Sequence, residues 1–234
     1  MADPFSSERR YASVPPLPSQ YQPRPDVEAK HRTMLLNATG TIALTASFDG
    51  PAGVGKTTLA KVMCHDREVR RHFSDGVQWL AFGRERTGEE VLAMLAGSLG
   101  VPSSDPLSSA ISERLDGRRV LLVLDDVWSA EQVGAFVGLD AGVDGLLATL
   151  LTTRNSQLAA SHGECLRLER LSDKASLRML CSFIGAGSRP DGDDSAVLLR
   201  ACRGNAAMLR SVGGLCRKRG IKGAVSHLEE AARR

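Results

Sequence analysis

The sequence predicts an α/β protein: a parallel sheet covered on both faces by helices, followed by a smaller all-helical part. Three observations carry this. Gly50 to Thr58 reads GPAGVGKTT, the G-x-x-x-x-G-K-T spacing of a P-loop, and it lies between a strand-like run and a helix-like one. Val120-Leu121-Leu122-Val123-Leu124 is a continuous apolar strand that delivers Asp125 and Asp126 at its carboxyl end, the edge at which such sheets bind ligands. Strand-like runs alternate with helical patterns up to about residue 170, and only helical patterns follow.

The elements follow in order. Residues 1–25 hold six of the ten prolines and little periodic apolar content, which predicts an extended Pro-rich arm. Asp26 is a plausible N-cap for a helix through Leu36. Thr41 to Phe48 reads as the strand before the P-loop and Thr58 to Met63 as the helix after it. Val77 to Phe82 reads as a buried strand. Thr87-Gly88-Glu89-Glu90 is a capping box opening a helix to about Leu99, and Asp105-Pro106 opens another that Gly117 closes. Ser129 to Gln132 is a second capping box, and Gly145 to Thr152 carries a further apolar strand. From Leu171 onward the helices are separated by Gly185 to Asp194 and by Gly220. The predicted organisation is therefore an arm at 1–25, a nucleotide-binding domain at 26–170 and a helical subdomain at 171–234. Trp79 and Trp128 read as core, the usual place of large aromatics at strand ends.

Composition narrows the function classes. With 234 residues, 42% of them hydrophobic, the chain can bury a substantial core. A net charge of +3 does not suggest a nucleic-acid binder, and clusters such as Arg217-Lys218-Arg219 read as solvated helix ends. The five cysteines contain no C-x-x-C pair, so they read as reduced thiols, and the scattered histidines suggest no metal site of their own. No apolar run approaches membrane-spanning length and the N-terminus has no apolar leader, which makes the cytoplasm the expected location.

The candidate chemistry is that of a nucleoside phosphate. Glycines let the backbone wrap an anion with its N–H groups pointing inward, and a helix N-terminus adds its positive dipole end. Gly53, Val54, Gly55, Lys56, Thr57 and Thr58 are the expected phosphate-binding residues, with Lys56 reaching the β- and γ-phosphates and the Thr57 hydroxyl holding Mg²⁺. Asp125 would hold the same Mg²⁺, directly or through water, and Asp126 would orient or deprotonate an attacking water. Arg154, at the end of Thr152-Thr153-Arg154-Asn155, has two readings: a bidentate reporter of the γ-phosphate, or a solvated arginine capping its loop.

Taken together, Gly50 to Ala60, FSDGVQWLAFG at 73–83, RRVLLVLDDVW at 118–128, LLTTRN at 150–155 and LERLSDKASLRML at 168–180 resemble the NB-ARC nucleotide-binding module of the STAND NTPases. The likeness runs from about Pro15 to the C-terminus, and LLVLDDVW followed by LLTTR is its narrowest part. The resemblance implies a P-loop NTPase with a parallel five-stranded sheet flanked by helices, in which another strand separates the P-loop strand from the Asp-Asp strand. It implies an ARC1-like helical subdomain after Leu171, and ADP or ATP with Mg²⁺ as ligands. It also places Pro23 and Arg24, in Pro23-Arg24-Pro25, beside the adenine. Three departures stand out. Ala206, in GNAAML at 204–209, replaces the family proline that contacts the base, which implies a looser adenine pocket. Pro51 and Ala52 replace commoner P-loop residues, and Pro51 removes one N–H. The residues end at Arg234 before any winged-helix, repeat or effector part, so a nucleotide-binding core without the usual input and output is expected.

Three functions fit these residues. One is an ADP/ATP-operated switch with slow hydrolysis through Asp126. Another is a turnover ATPase or small-molecule kinase, for which Arg84 and Arg86 are the available lid arginines. The third is an interaction module or fragment, in which apolar helix faces with Leu177, Leu180 and Phe183 either meet partner domains or a second copy, or pack on the α/β core.

Overall fold

The structure, a computed structural model, describes residues 3–37, 41–46, 53–102, 106–139, 145–162, 164–185 and 187–233. In chain order the elements are α1 (Pro25–Leu36), β1 (Thr41–Ala46), α2 (Lys56–His65), α3 (Arg67–His72), β2 (Gly76–Ala81), α4 (Gly88–Leu99), α5 (Leu107–Leu115) and β3 (Arg119–Val127). They continue with α6 (Ala130–Gly134), β4 (Leu146–Thr153), α7 (Ser156–Ser161), β5 (Glu164–Leu168), α8 (Asp173–Ile184), α9 (Gly192–Cys202) and α10 (Ala206–Ala232). The chain divides into two compact units. One gathers Met1–Leu17, Arg24–Thr45 and Lys56–Arg167; the other gathers Pro18–Pro23, Ala46–Gly55 and Leu168–Arg234.

The sheet has five strands in the order β2-β3-β4-β1-β5. β2 pairs parallel with β3, β3 with β4, and β4 with β1, so β4 separates the P-loop strand from the acidic strand as the family resemblance implies. Val120 to Leu124 are all at most 1% exposed, which is why β3 reads as an unbroken apolar run rather than an alternating one. Leu95, Leu99, Ile111 and Leu115 of α4 and α5 join the same cluster, each fully buried side chain stabilising by about 1.5–3 kcal/mol. The two predicted capping boxes form: Thr87 with Glu90 opens α4, and Ser129 with Gln132 opens α6. α1 begins two residues earlier than the Asp26 cap predicts, with Arg24 at the N-cap position. Pro25 takes the first turn, where its missing N–H costs nothing, and Asp26 lies inside that turn as a dipole complement.

Of the segment expected as an extended arm, Met1–Leu17 belongs to the first unit and Pro18–Pro23 to the second. The Val77 N–H donates to Arg10 O (2.8 Å), the Trp79 N–H to Ser13 Oγ (2.9 Å), and Ser13 Oγ to Val77 O (3.0 Å). These bonds cap the outer edge of β2, which an open sheet would leave as an unpaired template. Two isolated aromatics anchor the segment. Phe5 is buried under the Arg118 guanidinium (3.8 Å), and the Tyr11 hydroxyl donates to Arg70 O (2.9 Å).

In the second unit, α8, α9 and α10 share a core of Leu180, Leu198, Leu209, Val212 and Cys216. Leu180 and Phe183, expected to dock elsewhere, are buried here: Gly213 of α10 lies so close to Phe183 that a Cβ there would stand 2.4 Å from the Phe183 Cβ. α10 breaks at Gly220 (φ +73°), a left-handed position, where the sequence predicts a helix boundary. All five cysteines are free thiols, and burial pushes that of Cys64 up to about 12. Among the described residues, no helix is long and apolar enough to cross a membrane.

Candidate functional site

In the first unit the predicted acidic and phosphate-side residues meet. α2 begins at Lys56, directly after the P-loop glycines, so Thr57 and Thr58 lie in its first turn. Thr57 Oγ1 donates to Asp125 Oδ1 (2.8 Å), joining α2 to the end of β3. Thr152 Oγ1, at the end of β4, donates to the same oxygen (2.6 Å) and accepts the Asp126 N–H (2.9 Å). Asp125 is buried (8% exposed) and Thr152 more so (2%), so the bond between them is sheltered from water, while Thr57 and Asp126 are half-buried. A hydroxyl and a carboxylate oxygen within bonding distance of one another are a hard, all-oxygen donor set, which fits Mg²⁺.

Asp126 has φ +57°, uncommon for a residue other than glycine, and the β3–β4 register shifts between Leu124 and Val127. The sequence predicts the strand to end at Leu124; it continues through both acids with this bulge. The bulge turns Asp126 away from the ladder while its backbone stays pinned, by Thr152 on one side and by the Gly83 N–H donating to Asp126 O (3.2 Å) on the other. Arg154 Nε lies 3.8 Å from Asp126 Oδ1. Lys56 is half-buried, and its pKa is lowered, first by burial and then by the Arg154 charge, against the pull of Asp126 and Asp125. Lys56, Thr57, Asp125, Asp126 and Arg154 therefore form one cluster.

Three further residues at this edge, Trp128, Arg84 and Gln132, take roles that the sequence motifs did not assign them. Trp128, expected in the core, is half-buried, and two guanidiniums lie on its ring: Arg84 at 4.1 Å and Arg154 at 4.9 Å from the centroid. Trp79 is buried, as expected. Gln132 (6% exposed) binds two loops at once. Its Nε2 donates to Gly83 O (2.9 Å) and Arg86 O (2.8 Å), and its Oε1 accepts from the N–H groups of Trp128 (2.7 Å) and Ser129 (3.3 Å). Gln132→Ala leaves these groups without a partner and is expected to lower stability by about 2–3 kcal/mol, read as a lower urea midpoint at unchanged m.

In the second unit the remaining P-loop residues meet the start of α10. Gly53 has φ +97°, and a Cβ there would stand 2.4 Å from the Ala207 Cβ and 2.9 Å from Asn205 Oδ1. The Ala207 N–H donates to Gly53 O (3.1 Å), and Asn205 Oδ1 caps α10 through Ala207 N and Met208 N. Val54 is buried and Gly55 has φ +107°. Ala206 takes the first helical position of α10, a place a proline also fits. Pro23 belongs to this unit, whereas Arg24 is the N-cap of α1 in the other. The readings of Gly50, Pro51 and Ala52 in the P-loop and of Asp105 lie outside the described residues.

Residues 28–189 match the NB-ARC domain family. The chain is similar to the disease resistance RPP13-like protein 4 of Arabidopsis thaliana, 28% identical over 80% of this chain and 24% of that protein. It is also similar to the regulatory protein AfsR of Streptomyces griseus, 30% identical over 65% of this chain and 16% of that one. The chain thus spans a quarter or less of the length of these relatives. Among solved structures, the Aeropyrum pernix ORC2 protein in ADPNP–ADP complexes shares the fold, with a TM-score of 0.58 over 90% of this chain and 69% of that one at 16% identity.

Proposed function

The chain belongs to the NB-ARC family of nucleotide-binding modules, and from that premise we propose that it works as an ADP/ATP-operated switch with slow, Mg²⁺-dependent hydrolysis at most. The observation that carries this reading is the Thr57–Asp125 hydrogen bond, which brings the P-loop helix and the acidic strand within reach of one ion. In this scheme the backbone of Gly53 to Thr58 cradles the phosphates and Lys56 binds the β- and γ-oxygens. Thr57 and Asp125 hold the Mg²⁺, which neutralises charge on the phosphates. Asp126, turned out of the ladder by its bulge, orients the attacking water. Arg154 binds the γ-phosphate and so distinguishes ATP from ADP. The base lies beside Pro23, Arg24 and Ala206, and residues 171–234 are the ARC1-like subdomain through which self-association or another protein domain is engaged. Switching requires the two nucleotides to favour different conformations.

The candidate lid arginines of a kinase reading are engaged elsewhere, which favours the switch. Arg86 donates to Ala81 O (2.6 Å), Arg84 lies on Trp128, and Gln132 pins the loop between them. The test is to purify the protein, denature it and identify the released nucleotide. Near-stoichiometric ADP is expected, and absence of any nucleotide with no measurable affinity for either overturns the reading. Turnover on the order of one per minute or slower is expected. Asp126→Ala should retain nucleotide and lose hydrolysis, whereas unchanged turnover removes Asp126 from its role.

A further inference from the structure

Arg154 is an exposed side chain, and a long flexible cation does not hold one geometry without support. Two groups support it: Asp126 at 3.8 Å and the Trp128 ring at 4.9 Å. The ring lies on a held stretch of backbone, and its Nε1 edge is turned inward as a buried donor with no partner among the described residues, which costs stability and does not itself anchor the ring. Its backbone N–H is held by Gln132, which also holds the loop that carries Arg84. Arg84 and Arg154 thus share one ring, and Arg154 lies near enough to Lys56 to repel its charge.

We propose that Trp128 is the positioning residue for Arg154: its ring, carried on backbone that Gln132 holds and shared with Arg84, holds the Arg154 guanidinium ready for the terminal phosphate of a nucleoside triphosphate. The proposal rests on the reading of Arg154 as the γ-phosphate contact. Arg84 assists by crowding the ring. Two like charges held against one aromatic ring repel, and a third group of opposite charge, the incoming phosphate, relieves that repulsion. Because Trp128 acts only through Arg154, it alters discrimination between triphosphate and diphosphate and leaves the diphosphate site intact.

The test compares ATP and ADP dissociation constants in nucleotide-stripped wild-type protein, Arg154→Ala, Trp128→Leu, Trp128→Phe and the Arg154→Ala/Trp128→Leu double variant. Arg154→Ala is expected to lower the preference for ATP about ten-fold, the loss of a charge-assisted contact. Trp128→Leu is expected to lower it about two- to five-fold at unchanged ADP affinity, with most of the preference restored in Trp128→Phe, which keeps a π face. In the double variant, Trp128→Leu should add nothing to the Arg154→Ala effect. An unchanged ATP/ADP ratio in Arg154→Ala removes the γ-phosphate reading itself. A shift in Arg154→Ala with none in Trp128→Leu, or additive effects in the double variant, overturns the positioning role alone. Should Trp128→Leu fail to fold, Trp128→Met, which also lacks a π face, carries the comparison with the same expected loss of preference, and an unchanged ATP/ADP ratio there overturns the proposal.

Discussion

Lys56→Ala is expected to abolish nucleotide retention without weakening the nucleotide-free fold. The first half follows from what a phosphate gains at this position: two charge-assisted contacts from one ammonium are worth roughly 3 kcal/mol or more, a hundred-fold or greater loss of affinity for ADP and ATP alike. The second half follows from the direction in which the protein moves the Lys56 pKa. Burial and the Arg154 charge lower it, so the folded state disfavours the charged form relative to the unfolded chain. A group whose folded pKa is depressed in this cationic sense costs stability at neutral pH. That cost shrinks as pH rises from the depressed folded value toward the ordinary lysine value near 10.4. Removing the ammonium therefore relieves a cost, and the stripped variant should unfold at the same temperature as stripped wild type or slightly above it. Calorimetry on both stripped proteins, beside titration with each nucleotide, checks the pair of outcomes. Unchanged affinity removes Lys56 from the site, and a large fall in stability of the stripped variant contradicts the sign argued here.

How much of this was legible in the sequence depended on whether a residue's role is local. Lys56, Thr57, Asp125 and Asp126 were readable because their spacing to a strand end or helix start decides where they point, and the capping boxes at Thr87 and Ser129 were readable because four consecutive residues contain the whole motif. The placement of β4 between β1 and β3 came from family resemblance; nothing in the residues of those strands states who pairs with whom. β5 (ECLRL) escaped notice as a strand because it is short and its charged and apolar residues follow no strict alternation. The docked N-terminal segment escaped because its anchors, Phe5 and Tyr11, are single aromatics among prolines, and their partners Arg118 and Arg70 lie far along the chain. Thr152, Gln132 and the Arg84–Trp128–Arg154 stack share that difficulty. Each acts through a contact across strand ends, and no periodicity marks it. Trp128 was misread for a related reason. A tryptophan after an apolar strand is ordinarily core, and only the bulge at Asp126 and the two arginines reveal a ring at the edge of the sheet.

Gly53→Ala carries the other large effect, and it separates loop geometry from lysine chemistry. Two costs fall on one methyl group. An alanine at φ +97° is strained by about 1–2 kcal/mol. Its Cβ would also meet the Ala207 Cβ at 2.4 Å, a distance that requires movement of α10's first turn or of the loop, at about 1–3 kcal/mol. Either movement breaks the Ala207 N–H to Gly53 O bond, so the P-loop conformation becomes a minor one. Apparent affinity falls in proportion to the population that remains competent, roughly a hundred-fold for both nucleotides. Unlike Lys56→Ala, this variant should lose stability even when stripped, because the strain is present without ligand. The compensating change is Ala207→Gly. It removes the methyl that collides but leaves the backbone angle unfavourable and Asn205 Oδ1 2.9 Å from the new Cβ, so the double variant should recover part of the affinity and not all of it. Full recovery would assign the whole defect to the collision, and no recovery would assign it to backbone strain at Gly53. Wild-type affinity in the single variant would mean that the Gly53–Ala207 contact is not part of the binding-competent loop.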